Sequence, residues 1–270
     1  MSRTQKRFTP LDRLFHLGLV VTFLVQSATG LGRLYVTTPW GGSLVRIMGG
    51  YEHVLLVHYG VGVAMTLIFL AHVAHTLVRV GRRGWLGPDS LVFSWRDFRH
   101  FGQNVRWVLG RGESARLGRW SYWEKFDYWA IFWGMPILAV TGIMLYHSVE
   151  TSRYIAGWGL NIAGVLHRAE ALLAMGYIFL VHFFMGHLRP SAFPMNPTIF
   201  TGEMGTEEVQ EEKPAWADEL KREGLWANGS GKTPSLLFKT GYTVFGYTAV
   251  VVGLYLLVNT LILMGQTGVH

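Results

Sequence analysis

The sequence predicts an all-α fold: an integral membrane bundle of five transmembrane helices. Half of its 270 residues are hydrophobic and only 15% are charged, whereas about 25% of the residues in ordinary soluble domains are charged. Five apolar stretches are long enough to cross a hydrocarbon core, which takes roughly 20 helical residues. These stretches are continuous rather than alternating, which argues against the strands of a membrane barrel.

The spans are predicted, in order, at about residues 11–31, 54–80, 126–146, 161–188 and 241–264. The first follows basic residues as a signal peptide would, but no small-residue cleavage site follows it, so we interpret it as a retained helix. The corresponding segments are a four-span core at 1–190 with a loop at 81–124, a second loop at 191–240, and the fifth span with a C-terminal tail at 241–270.

The distribution of basic residues predicts the topology. With the N-terminus inside, 20 of the 24 lysines and arginines lie in inside segments, and only Arg33, Arg46, Arg153 and Arg168 lie outside. This asymmetry is the positive-inside pattern of a multi-pass protein of the inner (cytoplasmic) membrane, and five spans put the C-terminus outside. Because topology accounts for the net charge of +7, we predict membrane lipid and no nucleic acid as a partner.

The two inside loops differ in composition. In the loop at 81–124, aromatic and aliphatic residues alternate with arginines between Trp95 and Val108, which is typical of an amphipathic helix at the membrane interface. The loop at 191–240 begins with prolines and continues into an acidic stretch, which suggests a docking surface or a partly ordered linker.

The chain contains no cysteine. This excludes disulfides, cysteine-ligated iron–sulfur clusters, covalent c-type haem attachment and thiol catalysis. Histidine is the remaining candidate metal ligand, and histidine within a membrane span indicates function by default.

Two spans each carry two widely separated histidines. Thirteen residues separate His58 from His72, and fourteen separate His167 from His182. A rise of about 1.5 Å and a turn of about 100° per residue place the members of each pair about 21–23 Å apart and within about 60° of one helix face. Facing imidazoles at two depths suit two haems, each with two axial histidines, which carry electrons rather than activate oxygen.

The inner level has more candidates than it needs. His16, near the inner end of the first span, competes with His72 as the partner of His182. Three further residues at this depth, His75, His187 and Arg189, are candidates for a quinone site, and His187 also for a third haem. Arg13, Lys125, Arg168 and Arg189 could pair with haem propionates.

At these positions the sequence resembles the membrane cytochrome b subunits of formate dehydrogenases, nickel–iron hydrogenases and related quinone-linked complexes. The resemblance covers roughly residues 8–202, and the motifs that carry it are Asp12-Arg13 before His16, His58, the fourth-span histidines His167 and His182, and the stretches 122–129 and 182–190. The last two resemble a subgroup associated with multihaem cytochromes. The fourth-span spacing is one residue longer than is usual in that family, and His72 and the fifth span are additional.

The resemblance implies a four-helix haem-binding core plus a fifth transmembrane helix, in a bacterial or archaeal membrane. It assigns an outer haem b to His58 and His167 and an inner haem b to His16 and His182. It also implies a quinone, menaquinone or ubiquinone, near the inner haem. The partner would be an outer-side iron–sulfur or multihaem c-type cytochrome subunit of a hetero-oligomeric complex. The chain would then transfer electrons between a quinone pool and this partner, with no catalytic residue of its own apart from quinone redox chemistry.

Two other classes compete with this interpretation. The spacings His53-x4-His58, His72-x2-His75 and His182-x4-His187 resemble the histidine boxes of desaturase-like diiron enzymes, which need a cluster at one membrane face. A histidine-relay transporter of metal ions or protons would need carboxylates within its spans, and only Asp127 and Glu170 approach that description.

Overall fold

The computed structural model describes residues 3–83, 90–190, 192–193 and 195–267. The chain forms two compact units. The first comprises Met1–Arg13, His72–Phe132 and Pro197–Phe238; the second comprises Leu14–Ala71, Trp133–Asn196 and Lys239–His270. The predicted segments 1–190, 191–240 and 241–270 do not coincide with these units, and the last three residues of the predicted tail lie outside the described part of the chain.

In the part of the chain that the structure describes, the fold is all-α apart from one two-stranded sheet. The strands are β1 (Thr4–Lys6) and β2 (Glu203–Gly205). In chain order the helices are α1 (Pro10–Leu34), α2 (Pro39–Ile47), α3 (Tyr51–Arg83), α4 (Trp95–Val108), α5 (Tyr122–Tyr146), α6 (Ser148–Thr151), α7 (Gly157–Gly176), α8 (Thr198–Thr201), α9 (Thr206–Glu212), α10 (Pro214–Arg222) and α11 (Leu236–Thr267).

Within the described ranges, five helices are long and apolar enough to cross a membrane, which confirms the predicted class. The spans lie at Pro10–Leu34, Tyr51–Val80, Tyr122–Tyr146, Gly157–Leu188 and Leu236–Met264. Each begins before the predicted start, because helical structure continues into the polar and aromatic residues that flank the apolar run. The fourth span is not α-helical throughout. After α7 it continues as two π-helical segments, π1 (Tyr177–His182) and π2 (Phe184–Leu188).

Three helices of the first unit begin with the same local signal, a hydroxyl residue followed three positions later by a carboxylate. At α1, the Thr9 amide and hydroxyl donate to Asp12 Oδ2 at 3.0 and 2.8 Å. At α5, the Ser121 amide and hydroxyl donate to Glu124 Oε2 at 2.8 and 2.7 Å, and Ser94 with Asp97 repeats the pattern at α4. Such capping pairs satisfy backbone donors that the first helical turn leaves without partners.

These capping carboxylates also bind cations from other segments of the first unit. Lys125 Nζ lies 2.9 Å from Asp97 Oδ2 in an almost fully buried pair. Burial raises the pKa of Asp97, but the hydrogen bonds from Lys125 and Ser94 together lower it by more than burial raises it. The net shift of this pKa is therefore downward. Glu124 pairs with both Arg7 and Lys213. Burial lowers the pKa of Lys213 to about 8, and Glu124 opposes this shift.

The segment after residue 197 is ordered around a small core of its own, so it is not the partly ordered linker that was one of the two expectations. The other, a docking surface, stays a prediction. Strand β2 pairs antiparallel with β1, with Gln5 opposite Met204. The buried side chains of this core are Met204, Val209, Trp216, Ala217 and Leu220. The proline-rich and acidic composition of the segment hides these apolar positions, which come together only when α9 and α10 fold against β2.

The main core of the second unit lies where α11 meets the fourth span. Phe179 and Phe183 pack with Val250, Leu256 and Leu257, and all five side chains are buried. Gly253 permits this close approach, because a Cβ atom there would overlap the Phe179 and Phe183 rings. The additional fifth span therefore covers π1, the part of the fourth span that departs from α-helical geometry.

Candidate functional site

The second unit brings His58 of α3 and His167 of α7 face to face. Their ring centroids lie 6.3 Å apart, with an angle of 72° between the ring planes. Both rings are partly buried. These residues are the two predicted ligands of the outer haem, and the structure places them opposite each other.

Each ring in the His58–His167 pair touches a threonine on a neighbouring helix. Thr29 Oγ1 lies 2.8 Å from His58 Nδ1, and Thr141 Oγ1 lies 2.9 Å from His167 Nδ1. A hydrogen bond at Nδ1 leaves Nε2 as the nitrogen that can bind a metal. In addition, Gln26 Nε2 donates to the His58 carbonyl at 2.6 Å, which ties α1 to α3 beside the same histidine.

A second pair in the same unit is formed by His16 of α1 and His182 at the end of π1. Its ring centroids are also 6.3 Å apart, and the planes are inclined by 36°. The extra residue between His167 and His182 would turn His182 by about 100° in a regular α-helix. Segment π1 accommodates that residue, because a π-helix bonds i to i+5 and so uses more residues per turn.

His72, the competing candidate ligand on α3, has a different environment. His72 Nε2 lies 3.2 Å from the Tyr128 hydroxyl, which donates to Thr76 Oγ1 at 3.3 Å. One turn further along α3, His75 Nε2 lies 4.0 Å from Asp12 Oδ1. Within the first unit, His72 and His75 therefore face polar side chains of α1 and α5.

The remaining quinone candidates lie at the end of the fourth span. His187 belongs to π2, and its ring packs edge-on against Phe183 at 6.1 Å. Arg189 ends this segment, with its amide donating to the Phe184 carbonyl at 2.9 Å. These two residues belong to the second unit, whereas His75 belongs to the first.

The two histidine pairs fit haem ligation. A metal-bound imidazole nitrogen lies about 2 Å from its ion, so two imidazoles on opposite sides of one ion have centroids about 6 Å apart. Both observed separations match this requirement. Among the described residues, no group of three or more histidine, aspartate or glutamate side chains could hold a metal ion. That part of the chain, which includes the three candidate histidine boxes, therefore lacks the cluster that a diiron desaturase needs.

One basic residue near the His58–His167 pair was missed as a site residue. Arg33, in the last turn of α1, interacts electrostatically with both histidines. Its Nε is buried without a hydrogen-bond partner among the described residues. Two of the basic residues chosen from the sequence are engaged elsewhere: Arg13 donates to the Thr201 carbonyl at 2.7 Å, and Lys125 binds Asp97.

Thr29 and Thr141 were also missed, although the sequence holds a signal for them. Each is followed by a glycine, in Thr29-Gly30 and Thr141-Gly142, and each dipeptide lies near the C-terminal end of its span. Spacing along one helix cannot show which histidine a residue on another helix will touch. The repeated dipeptide becomes meaningful only when the helices are seen together.

An all-α membrane bundle with facing histidine pairs defines the class of membrane cytochromes b, and comparison with known proteins agrees. The family described as prokaryotic cytochrome b561 matches residues 7–192. The Escherichia coli K12 formate dehydrogenase cytochrome b556(fdo) subunit is 23% identical over 66% of this chain and 76% of its own length. The nitrate-inducible cytochrome b556(Fdn) subunit of the same strain is 21% identical over 78% and 89%. The Haemophilus influenzae cytochrome b556 subunit is 28% identical over 64% and 66%.

The chain belongs to the prokaryotic cytochrome b561 family. It is therefore a multi-pass membrane cytochrome b with a role in electron transfer, and the family implies haem b as its cofactor. This membership confirms the resemblance inferred from the histidine motifs and groups the chain with electron carriers rather than with desaturases or histidine-relay transporters.

Proposed function

We propose that the protein carries electrons across the membrane between a quinone pool and redox partner subunits through two haems b. The observation that carries this proposal is the pair of facing imidazoles found twice within one compact unit, at a centroid separation of 6.3 Å each time. His58 and His167 would ligate one haem, and His16 and His182 the other. His72 is the alternative inner ligand. A stoichiometry of three haems, with the third at His187, has less support.

The protein's own residues would hold and orient the cofactors. The imidazoles would supply two ligands to each iron, and each haem would supply a one-electron carrier. Arg33, close in electrostatic terms to both histidines of one pair, would neutralise the propionates of that haem. About 22 Å of helix separates the two levels, so an electron passing between them moves charge through the membrane potential, at about 2.3 kcal/mol per 100 mV for a full crossing.

The partner must carry the rest of the electron chain. Without cysteine, this chain cannot ligate a cysteine-bound iron–sulfur cluster or attach a c-type haem. The similar proteins are subunits of formate dehydrogenases, which supports a hetero-oligomeric complex. We propose an iron–sulfur or multihaem c-type subunit on the outer side, with the N-terminus of this chain inside and its C-terminus outside.

The quinone site is proposed at the inner level. His187 and Arg189 at the end of the fourth span are the candidates in the second unit, and His75 beside Asp12 is a separate candidate in the first. Each of these side chains can exchange protons or bind a carbonyl oxygen. The 4.0 Å approach of His75 to Asp12 supports a proton-handling role for that side chain.

The test is haem stoichiometry in single histidine variants of the purified protein. We expect two haems per chain in the native protein, one in His16→Ala and in His58→Ala, and two in His72→Ala, which is the matched control. Pyridine haemochrome quantification with reduced spectra measures this. Loss of a haem in His72→Ala but not in His16→Ala would overturn the inner assignment, and a native protein without haem would overturn the proposal.

A further inference from the structure

We propose that Thr29 and Thr141 are positioning residues that fix the tautomer of His58 and His167 and thereby set the reduction potential of the haem between them. The inference rests on the proposed function, in that this pair must ligate a haem. It goes further by naming the residues that tune the haem and the direction in which they do so.

The hydrogen-bond geometry at Thr29 determines which atom donates. Thr29 Oγ1 lies 2.6 Å from the Val25 carbonyl and 2.8 Å from His58 Nδ1. A carbonyl oxygen can only accept, and a hydroxyl has a single hydrogen. The hydroxyl therefore donates to Val25 and accepts from Nδ1–H of His58. Ligation of iron needs a neutral ring, and with its one hydrogen on Nδ1 the lone pair of Nε2 would be available to the iron.

The same arrangement occurs independently at the second ligand. Thr141 Oγ1 lies 2.5 Å from the Ile137 carbonyl and 2.9 Å from His167 Nδ1. By the same reasoning, Thr141 donates to the backbone of its own helix and accepts from Nδ1–H of His167, whose ring also has the Leu138 carbonyl as a hydrogen-bond acceptor. The same threonine hydrogen bond thus favours the Nδ1–H tautomer in both histidines. It joins α1 to α3 in one case and α5 to α7 in the other.

The glycine after each threonine leaves space for the histidine ring. A Cβ atom on Gly30 would lie 3.2 Å from His58 Cε1, and one on Gly142 would lie 3.3 Å from His167 Cε1. These separations are tighter than ordinary van der Waals contact. A side chain at either position would push the ring away from its threonine, so the Thr–Gly dipeptide supplies both the hydrogen-bond acceptor and the space for the ring.

Hydrogen bonds of this kind change the ligand as well as its orientation. A metal-bound histidine that donates its other N–H to an acceptor becomes more basic and gives more electron density to the metal. Greater donation stabilises ferric over ferrous iron. We therefore infer that Thr29 and Thr141 lower the midpoint potential of this haem and hold the two ring planes in their relative orientation.

Replacement of each threonine by valine tests the inference, because valine keeps the branched shape and removes the hydroxyl. Thr22→Val and Thr66→Val are matched controls. Their hydroxyls donate to the Gly18 and Gly62 carbonyls of their own helices at 2.7 and 2.8 Å, and among the described residues they form no hydrogen bond to a histidine. Thr29→Ser and Thr141→Ser keep the hydroxyl and serve as rescue variants.

The readouts are redox titration of both haems and the low-spin ferric electron paramagnetic resonance spectrum. Loss of a hydrogen-bond partner of a metal ligand typically costs about tenfold or more in metal affinity, and we expect a change of about tenfold in the ratio of ferric to ferrous affinity. A tenfold change in the one-electron equilibrium constant corresponds to about 59 mV. We expect Thr29→Val and Thr141→Val to raise one midpoint potential by about this amount, the double variant to raise it further, and the ferric signal of the same haem to shift. The serine variants should restore both values.

Two results separate the inference from the proposed function. If Thr29→Val and Thr141→Val move the potential no more than Thr22→Val does, while His58→Ala still loses one haem, the inference is wrong and the function stands. If His58→Ala keeps both haems, the proposed function fails at this pair. Loss of one haem in a threonine-to-valine variant that its serine counterpart restores supports the inference, because the hydroxyl then holds the ligand in place.

Discussion

The His58–His167 pair and the His16–His182 pair both bring two imidazole rings to a centroid separation of 6.3 Å, yet the surrounding helices achieve this in different ways. The first pair lies on regular α-helices, and threonines on the neighbouring helices hold its rings. The second depends on a π-helical segment that ends at its ligand. The ring planes also differ, at 72° in the first pair and 36° in the second.

This difference shows two solutions to one geometric requirement. In the first, helix geometry is ordinary and hydrogen bonds orient the rings. In the second, the helix changes its pitch so that a ligand displaced by one residue still reaches its partner. Segment π1 is itself covered by α11 through Phe179 and Phe183, so the fifth span packs against the segment that ends at His182.

The largest effect should follow from insertion of one alanine after Leu173, a residue of α7 that is 66% exposed. The insertion adds about 100° of rotation between His167 and His182. We expect loss of the haem at His16 and His182 with retention of the other, measured by haem stoichiometry and reduced spectra.

Deletion of Leu180, an exposed residue within π1, is the matched control for that insertion. It removes the residue that the π-helix accommodates, so the segment can return to α-helical bonding with His182 still facing His16. We expect two haems in this variant. Retention of both haems in the insertion variant as well would contradict the role given to π1.

A smaller effect, confined to the other pair, is expected from Gly142→Val. The new side chain would occupy the space of the His167 ring, since even a Cβ atom there would lie 3.3 Å from Cε1. We expect reduced occupancy of the His58–His167 haem alone. Gly60→Val on α3 is the control, because a Cβ atom at Gly60 meets no described atom within 4 Å. An equal loss in both variants would point to helix propensity rather than to crowding of the ligand.

The smallest effect is expected from Gly253→Ala on α11. A Cβ atom there would overlap the Phe179 and Phe183 rings, and overpacking of this kind typically costs about 1–3 kcal/mol. We expect a lower thermal unfolding temperature and a shifted midpoint potential for the His16–His182 haem, with the other haem unchanged. Gly241→Ala, where a Cβ atom meets no described atom within 4 Å, should change neither quantity.

Most of the helical architecture could be predicted from the sequence, because a membrane span needs a long continuous apolar run. The first and last residues of the spans were harder to predict from the sequence. The third span was predicted to begin at 126, whereas α5 begins at Tyr122, because Glu124 and Lys125 lower the hydropathy there. The capping pair of Ser121 and Glu124 is the local signal for the earlier start.

The part of the site that depends on histidine spacing along one helix was predictable from the sequence. The part that depends on contacts between different helices was not. The spaced histidines of the second and fourth spans follow from spacing within a helix. The π-helix has no local sequence signature, and the contacts of Thr29 and Thr141 depend on which helices become neighbours. The small core around Trp216 was hidden by the proline-rich and acidic composition of its segment.

The pairing of β1 with β2 has a consequence for biosynthesis. Thr4, whose hydroxyl donates to Glu203, leaves the ribosome when four of the five spans are still untranslated. Its partner strand, residues 203–205, follows the fourth span in the chain. The short ribbon therefore cannot close until the first four spans have been synthesised.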